Sequence, residues 1–343
     1  MKKTILLTLF LYGLFSVPLT ATTYRVNNKL ADNASLKIYS TIQGAYDAAQ
    51  NGDTIMLEGS PDSYSTGFNF VKRLIVKGPG YFLGENPGIS ANKLSAVINS
   101  ISFYTGSEGS VLIGVTLNSV DQYTGGNNLT FRRCCIDYFA AHSNCENVAF
   151  SECYFTGAGY NGSIYNIGNK MTNLVVMNCI FDSPSAVSQY GQISITGAYE
   201  HSGTFLNNVF NNDYFIIPNG FEMKNNILFT TNKTNVNLPD LNGFITNNIS
   251  ISDHFGTANN NQANVTAGSL FLGTGSSDGK WQLKAGSPAI GAGVGGIDCG
   301  AFGGLGPYIL SGLPIGPVIY QLDVSSHSNA ENKLPVTIKV KSY

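Results

Sequence analysis

Glu200 and His201 are adjacent, and both residue types move protons near neutral pH. Together they are the acid/base candidates of the chain. Neighbours on an extended strand point to opposite faces, however, so a single ligand would meet only one of them. The surrounding stretch carries Tyr160, Tyr165, Tyr190 and Tyr199 beside Asn161, Asn166, Gln189 and Gln192. Flat rings that cover an apolar sugar face, with amides that bond hydroxyls, suit a carbohydrate ligand. The competing role for these tyrosines is to pack loops against a wall.

The other titratable residues offer less. Asp137 and Asp182 fall at equivalent positions of a repeat, with Thr156 between them. Two strand spacings separate them by roughly 10 Å, too far to share one calcium ion. Arg133 and Glu152 read as an ion pair on a solvated wall, His142 and His254 as surface or turn residues without a visible partner, and His327 lies in the tail. No Gly-x-Ser-x-Gly elbow, phosphate-binding loop or His-Glu-x-x-His motif occurs, and no metal or cofactor site is expected. The net charge is −2 and no basic band is present, which argues against a nucleic-acid partner.

These residues need a frame, and the frame is a repeat. Apolar residues two apart, then a slip of three to Asn or Cys, then renewed alternation, recur through the middle of the chain. The copies include Leu129-Phe131-Cys134-Ile136, Leu174-Val176-Cys179-Phe181 and Phe221-Met223-Asn226-Leu228. The marker position falls at 115, 134, 153, 179, 208, 226 and 248, at spacings of 19, 19, 26, 29, 18 and 22. Apolar residues two apart share one face of a strand, and the slip marks a bend. A period near 20 with short strands predicts one coil of a parallel solenoid, whose coils stack because none buries its inner face alone.

The marker column places Cys134, Cys153 and Cys179 inside, where Asn208, Asn226 and Asn248 stand later. Free buried thiols are expected there, with stacked Asn amides bonding to the bends. Cys135 should point outward, where Cys145 is a conceivable disulfide partner. The two long spacings locate insertions near 157–172 and 183–202, one loop-bearing side. One outward column, Cys135, Tyr154, Ile180, Val209, Ile227 and Ile249, is too apolar for a solvated wall, so the tail or a partner should cover it.

The ends complete the frame. Met1-Lys2-Lys3, an apolar run from Thr4 to Leu19 and Ala21 have the form of a signal peptide over 1–21. Ser40 to Gly52 reads as a capping helix, with Ser40 as N-cap. Thr41-Ile42-Gln43-Gly44-Ala45-Tyr46-Asp47-Ala48-Ala49 followed by Gly52-Asp53-Thr54-Ile55 resembles the start of pectin-lyase-like, right-handed parallel β-helix proteins. Leu283 to Gly293 and Asp298-Cys299-Gly300-Ala301-Phe302-Gly303 resemble the closing segment of secreted bacterial members, with Gly291 and Cys299 as departures. The resemblance covers about residues 24 to 303.

It implies an all-β, single-stranded right-handed parallel β-helix with an N-terminal capping helix over 22–303. Residues 304–343, in which Val318-Ile319-Tyr320 and Val336 to Val340 read as strands, are expected to form a tail packed on the solenoid or paired as a small hairpin. It leaves the chemistry open, since the superfamily holds lyases, hydrolases, esterases and proteins without known catalysis. The acidic calcium cluster of pectate lyases and the Asn-Thr-Asp, Gly-His-Gly and Arg-Ile-Lys motifs of polygalacturonases are missing. The expectation is a secreted, periplasmic or cell-surface protein that binds polysaccharide without catalysis. The alternatives are a polysaccharide lyase or glycoside hydrolase of unassigned type, and a purely structural or adhesive protein.

Overall fold

The computed structural model describes residues 21–342 except 65–66, 158–162, 184–192, 212–213, 232–235 and 241–243. The signal-peptide segment, Tyr160, Asn161, Gln189, Tyr190 and Gln192 lie outside, save Ala21. The chain is mostly β, with long parallel sheets compatible with a β-helix, and one α-helix among the described residues. Among those residues no helix is long and apolar enough to cross a membrane.

Among the described residues, eleven strands make the first sheet and fourteen the second. Each repeat adds one strand to the first sheet, bends, and adds one or two to the second. Parallel pairing in register puts like positions above one another, and the buried row of the first sheet is Leu112, Phe131, Phe150, Val176, Phe205, Met223 and Ile245. Beyond the bend, Phe155, Phe181 and Phe210 stack with ring centroids 4.4 and 4.9 Å apart. Each inward ring finds its partner in the next coil, which is how a coil too thin for its own core becomes stable.

The bend itself is a doublet. Its first residue has a positive φ of 52–57° at Arg133, Glu152, Asn178, Asn207, Asn225 and Asn247. Asn is the least strained non-glycine residue in that region. The second residue is the inward marker. Asn208 Nδ2 donates to Asn226 Oδ1 at 2.9 Å, and Asn226 Nδ2 to Asn248 Oδ1 at 2.9 Å. The same amide nitrogens donate to the carbonyls of Val176 and Phe205 at 2.9 and 2.8 Å. Each Oδ1 also accepts the marker amide of the preceding coil, as at Asn208 N→Asn226 Oδ1, 2.9 Å. Every buried polar atom of the corner is thereby paired along the stack.

Thiols fill the same column earlier in the chain. Cys134 Sγ and Cys153 Sγ each donate to a carbonyl of the preceding coil at 3.4 Å, Leu112 and Phe131 respectively. All six cysteines are buried and free, so Cys135 and Cys145 are not joined. Burial pushes the Cys145 and Cys299 thiols up to about 12, and those of Cys134, Cys135 and Cys153 further.

The capping helix is shorter than the sequence suggested. It spans Ile42–Ala48, and Thr41, not Ser40, caps it by accepting the Gly44 amide at 3.1 Å. The Ser40 amide is instead taken by Asp32 Oδ1 at 2.6 Å. Ile42, Ala45 and Tyr46 face the core.

The outward apolar stripe is covered, but chiefly by the segment before the tail. Cys135, Tyr154, Ile180, Val209, Ile227 and Ile249 form a second core with Leu270, Phe271, Trp281, Ala289, Cys299, Ala301 and Tyr308. The first residues of the bend doublets tether this cover. Asn178 Nδ2 donates to the carbonyls of Ala301 and Gly303 at 2.9 and 2.7 Å. Asn207 Nδ2 reaches Asp298 O at 2.9 Å, and Asn247 Nδ2 reaches Ala292 O at 2.9 Å. Arg133 and Glu152 do pair, at 2.6 Å, but beneath the cover rather than on a solvated wall, and Arg133 Nη1 also donates to Leu313 O. Buried Asp278 locks the cover to the turn at Asn86, accepting from Asn86 Nδ2 at 2.9 Å and the Ser311 amide at 2.6 Å.

Past the cover, Pro317–Val324 and Val336–Ser342 form an antiparallel hairpin whose side chains are mostly exposed. Ala91 N donates to Ile319 O at 2.8 Å, tying the hairpin to the body.

Two outcomes follow. Asn226→Ala leaves buried partners unpaired on both sides and should lower stability by about 3 kcal/mol, read as a shifted midpoint in chemical unfolding. Removing residues 317–343 should leave hydrophobic-dye binding unchanged, whereas removing 265–343 should raise it sharply.

Candidate functional site

Glu200 and His201 do not converge. Glu200 is exposed, while His201 is buried, with Nδ1 accepting the Met171 amide at 3.3 Å. Burial lowers the His201 pKa, and the nearby charge of Lys170 lowers it further. The ring is thus enclosed in the wall rather than open at the surface. Tyr199 is half exposed in the turn after Ile193–Thr196, edge-on to His201 with centroids 6.2 Å apart. Tyr165 lies on the strand Ile164–Ile167, half-buried. Its neighbour Asn166 turns inward and is fully buried, so it does not meet a ligand at the surface. The tyrosine loops as the sequence drew them thus reduce, among the described residues, to Tyr165 and Tyr199.

A different cluster is assembled two coils earlier, on the outer face of the second sheet. Strands Thr116–Gln122 and Cys135–Ala141 run unbroken past the bend there, with no insertion between their halves. Asp121 lies beside Ala140, and Ala140 beside Tyr165, so Tyr165 shares the column of Asp121. Asp121 Oδ1 is 2.7 Å from His142 Nε2, with 39% of the imidazole and 16% of the carboxylate side chain accessible. Asp121 Oδ2 accepts from Ser119 Oγ at 2.9 Å, and Ser119 Oγ lies 2.7 Å from the Tyr138 hydroxyl. The rings of Tyr104, Tyr123 and His142 stack one per coil, at 4.9 and 4.8 Å. Burial, then the charge of Asp121, raises the Tyr123 pKa, so its hydroxyl stays a donor at neutral pH.

The arrangement has clear chemical capacity. Asp121 holds the imidazole through Nε2, so the other ring nitrogen is the one not engaged by the carboxylate. The stacked rings present two tyrosine hydroxyls and an imidazole edge at the coil spacing, beside a carboxylate and a serine. Asp121 is 21 residues from His142 in sequence and becomes its neighbour only through coil register. The signal was available in Asp121-Gln122-Tyr123 and Ala140-Ala141-His142, one coil apart at 19 residues.

Asp182 is no open carboxylate either. It sits under the cover, bonded to Tyr154 at 2.7 Å, Lys280 at 2.6 Å, Asn211 at 2.7 Å and Trp281 Nε1 at 3.2 Å. Burial raises its pKa, but the bonds from Lys280, Tyr154 and Asn211 outweigh that and hold it below the usual carboxylate range. Among the described residues no group of three or more His, Cys, Asp or Glu could hold a metal ion. Compared with known proteins, the chain matches no family model, no curated protein and no solved structure.

Because the folded-state pKa of Asp182 is depressed, its contribution is present above the ordinary carboxylate pKa and is lost as pH falls through the lower folded value. Asp182→Asn should therefore lower stability at neutral pH and flatten the acid limb of the unfolding profile. An unaltered limb in a pH series of thermal melts would count against this role.

Proposed function

We propose that this chain is an exported, single-stranded right-handed parallel β-helix of the pectin-lyase-like kind. On this reading it holds a polysaccharide at the cell surface or outside the cell without cleaving it. The right hand is the one that parallel crossover connections take almost always. The leader-like residues 1–21 support export. The observation that carries the binding reading is the accessible row Tyr104, Ser119, Asp121, Tyr123, Tyr138 and His142, in which polar edges repeat coil by coil. A polymer lying along the stack meets the same kind of group at each step, and several weak contacts add up.

A second reading, a polysaccharide lyase or glycoside hydrolase, is favoured by the Asp121–His142 pair alone, since a carboxylate-held imidazole is a competent general base. The test is a glycan array run with product analysis. Binding reduced about tenfold by Tyr123→Ala, with no new chain ends, is the expected result. New reducing or unsaturated ends that vanish in His142→Ala would replace the first reading by the second. Absence of any retained glycan would remove both.

A further inference from the structure

A separate cavity of about 390 Å³ lies between the second sheet and the cover, with Asn211, Phe229, Phe271, Lys280, Trp281 and Lys284 in its lining. Its volume is that of a small-molecule site. Phe229, Phe271 and Trp281 meet edge to face, with centroids 5.6, 5.7 and 5.1 Å apart, and make a rigid apolar corner. Trp281 is held by its Nε1 bond to Asp182 at 3.2 Å. The rest of the wall, Leu272, Ala267, Gly268 and Gly273, adds no polar side chain.

Among the described residues, the charges around this corner do not cancel. Lys280 spends its charge on Asp182 at 2.6 Å, and Asn211 Nδ2 donates to the same carboxylate at 2.7 Å. Lys284 is exposed and donates to the backbone carbonyl of Gly268 at 3.0 Å, a neutral partner. One of its three protons is used there, and two remain for a ligand. Among the described residues, the cavity thus pairs an apolar aromatic floor with one uncompensated positive charge at its rim. A hydroxyl-rich ring would find few acceptors on this wall and would leave its donors unpaired. An aromatic ring bearing a carboxylate satisfies both parts, the ring against the three aromatic side chains and the carboxylate on Lys284.

We propose that this cavity is a binding site for a small aromatic carboxylate. It involves none of the residues of the Asp121–His142 row, so it stands or falls independently of polysaccharide binding there.

The protein supplies its own probe, because Trp281 is its single tryptophan. The experiment titrates the full chain with phenylacetate, and in parallel with its neutral isostere phenylacetamide, reading tryptophan emission and confirming by calorimetry. Saturable binding of phenylacetate is expected, with a dissociation constant on the order of a millimolar for a ligand of this size. Phenylacetamide should bind about fivefold more weakly, Lys284→Ala should weaken phenylacetate by about the same factor, and Lys284→Arg should restore it. Lys284 is exposed, so Lys284→Ala should keep the wild-type melting temperature, which separates lost binding from lost fold. No saturable response to phenylacetate would overturn the proposal, as would equal affinity for the amide or indifference to Lys284→Ala.

Discussion

Everything in this molecule hangs on one corner, the two-residue bend that each coil makes between its sheets. The first residue bends the backbone to positive φ and projects outward, and the second projects inward. Inside, Asn208, Asn226 and Asn248 pass hydrogen bonds from coil to coil and close the core. Outside, Asn178, Asn207 and Asn247 grip the carbonyls of the covering segment. A buried amide has two donors and two acceptor sites, so it can serve its own coil and the next at once. The same step along the chain therefore sets coil stacking, core closure and cover attachment.

This explains why the repeat was legible and its surroundings less so. Inward spacing, the marker column and the buried thiols follow from local alternation, which a sequence displays directly. The capping helix was legible in its apolar stripe but not in its first residue, because Asp32 takes the Ser40 amide from outside the helix. The doublet was visible as Asn207-Asn208, Asn225-Asn226 and Asn247-Asn248, yet only the inner member had an evident task. The outer member's task depends on residues 45 to 125 positions away.

The candidate site failed to show for the same reason. Glu200-His201 is conspicuous in one dimension and dispersed in three, because the segment between Ile193–Thr196 and Gly203–Leu206 leaves Glu200 exposed and buries His201. Asp121 and His142 are inconspicuous in one dimension and joined in three, because coil register converts a separation of 21 residues into a 2.7 Å contact. In a stacked fold the informative distance is one coil period plus or minus two. Arg133–Glu152 was found by that rule, and its burial was missed because the cover arrives from the other end of the chain.

The six free thiols have one more consequence. Each is shut from solvent, and burial leaves almost no reactive thiolate at neutral pH in the five whose thiols it raises. Cys134, Cys153 and Cys179 mark three consecutive heights of the stack, Cys145 its side, and Cys135 and Cys299 the seam under the cover. The chain carries a ready-made ruler for its own breathing. The order in which these sulfurs yield to an alkylating reagent would record whether the seam lifts before the coils part.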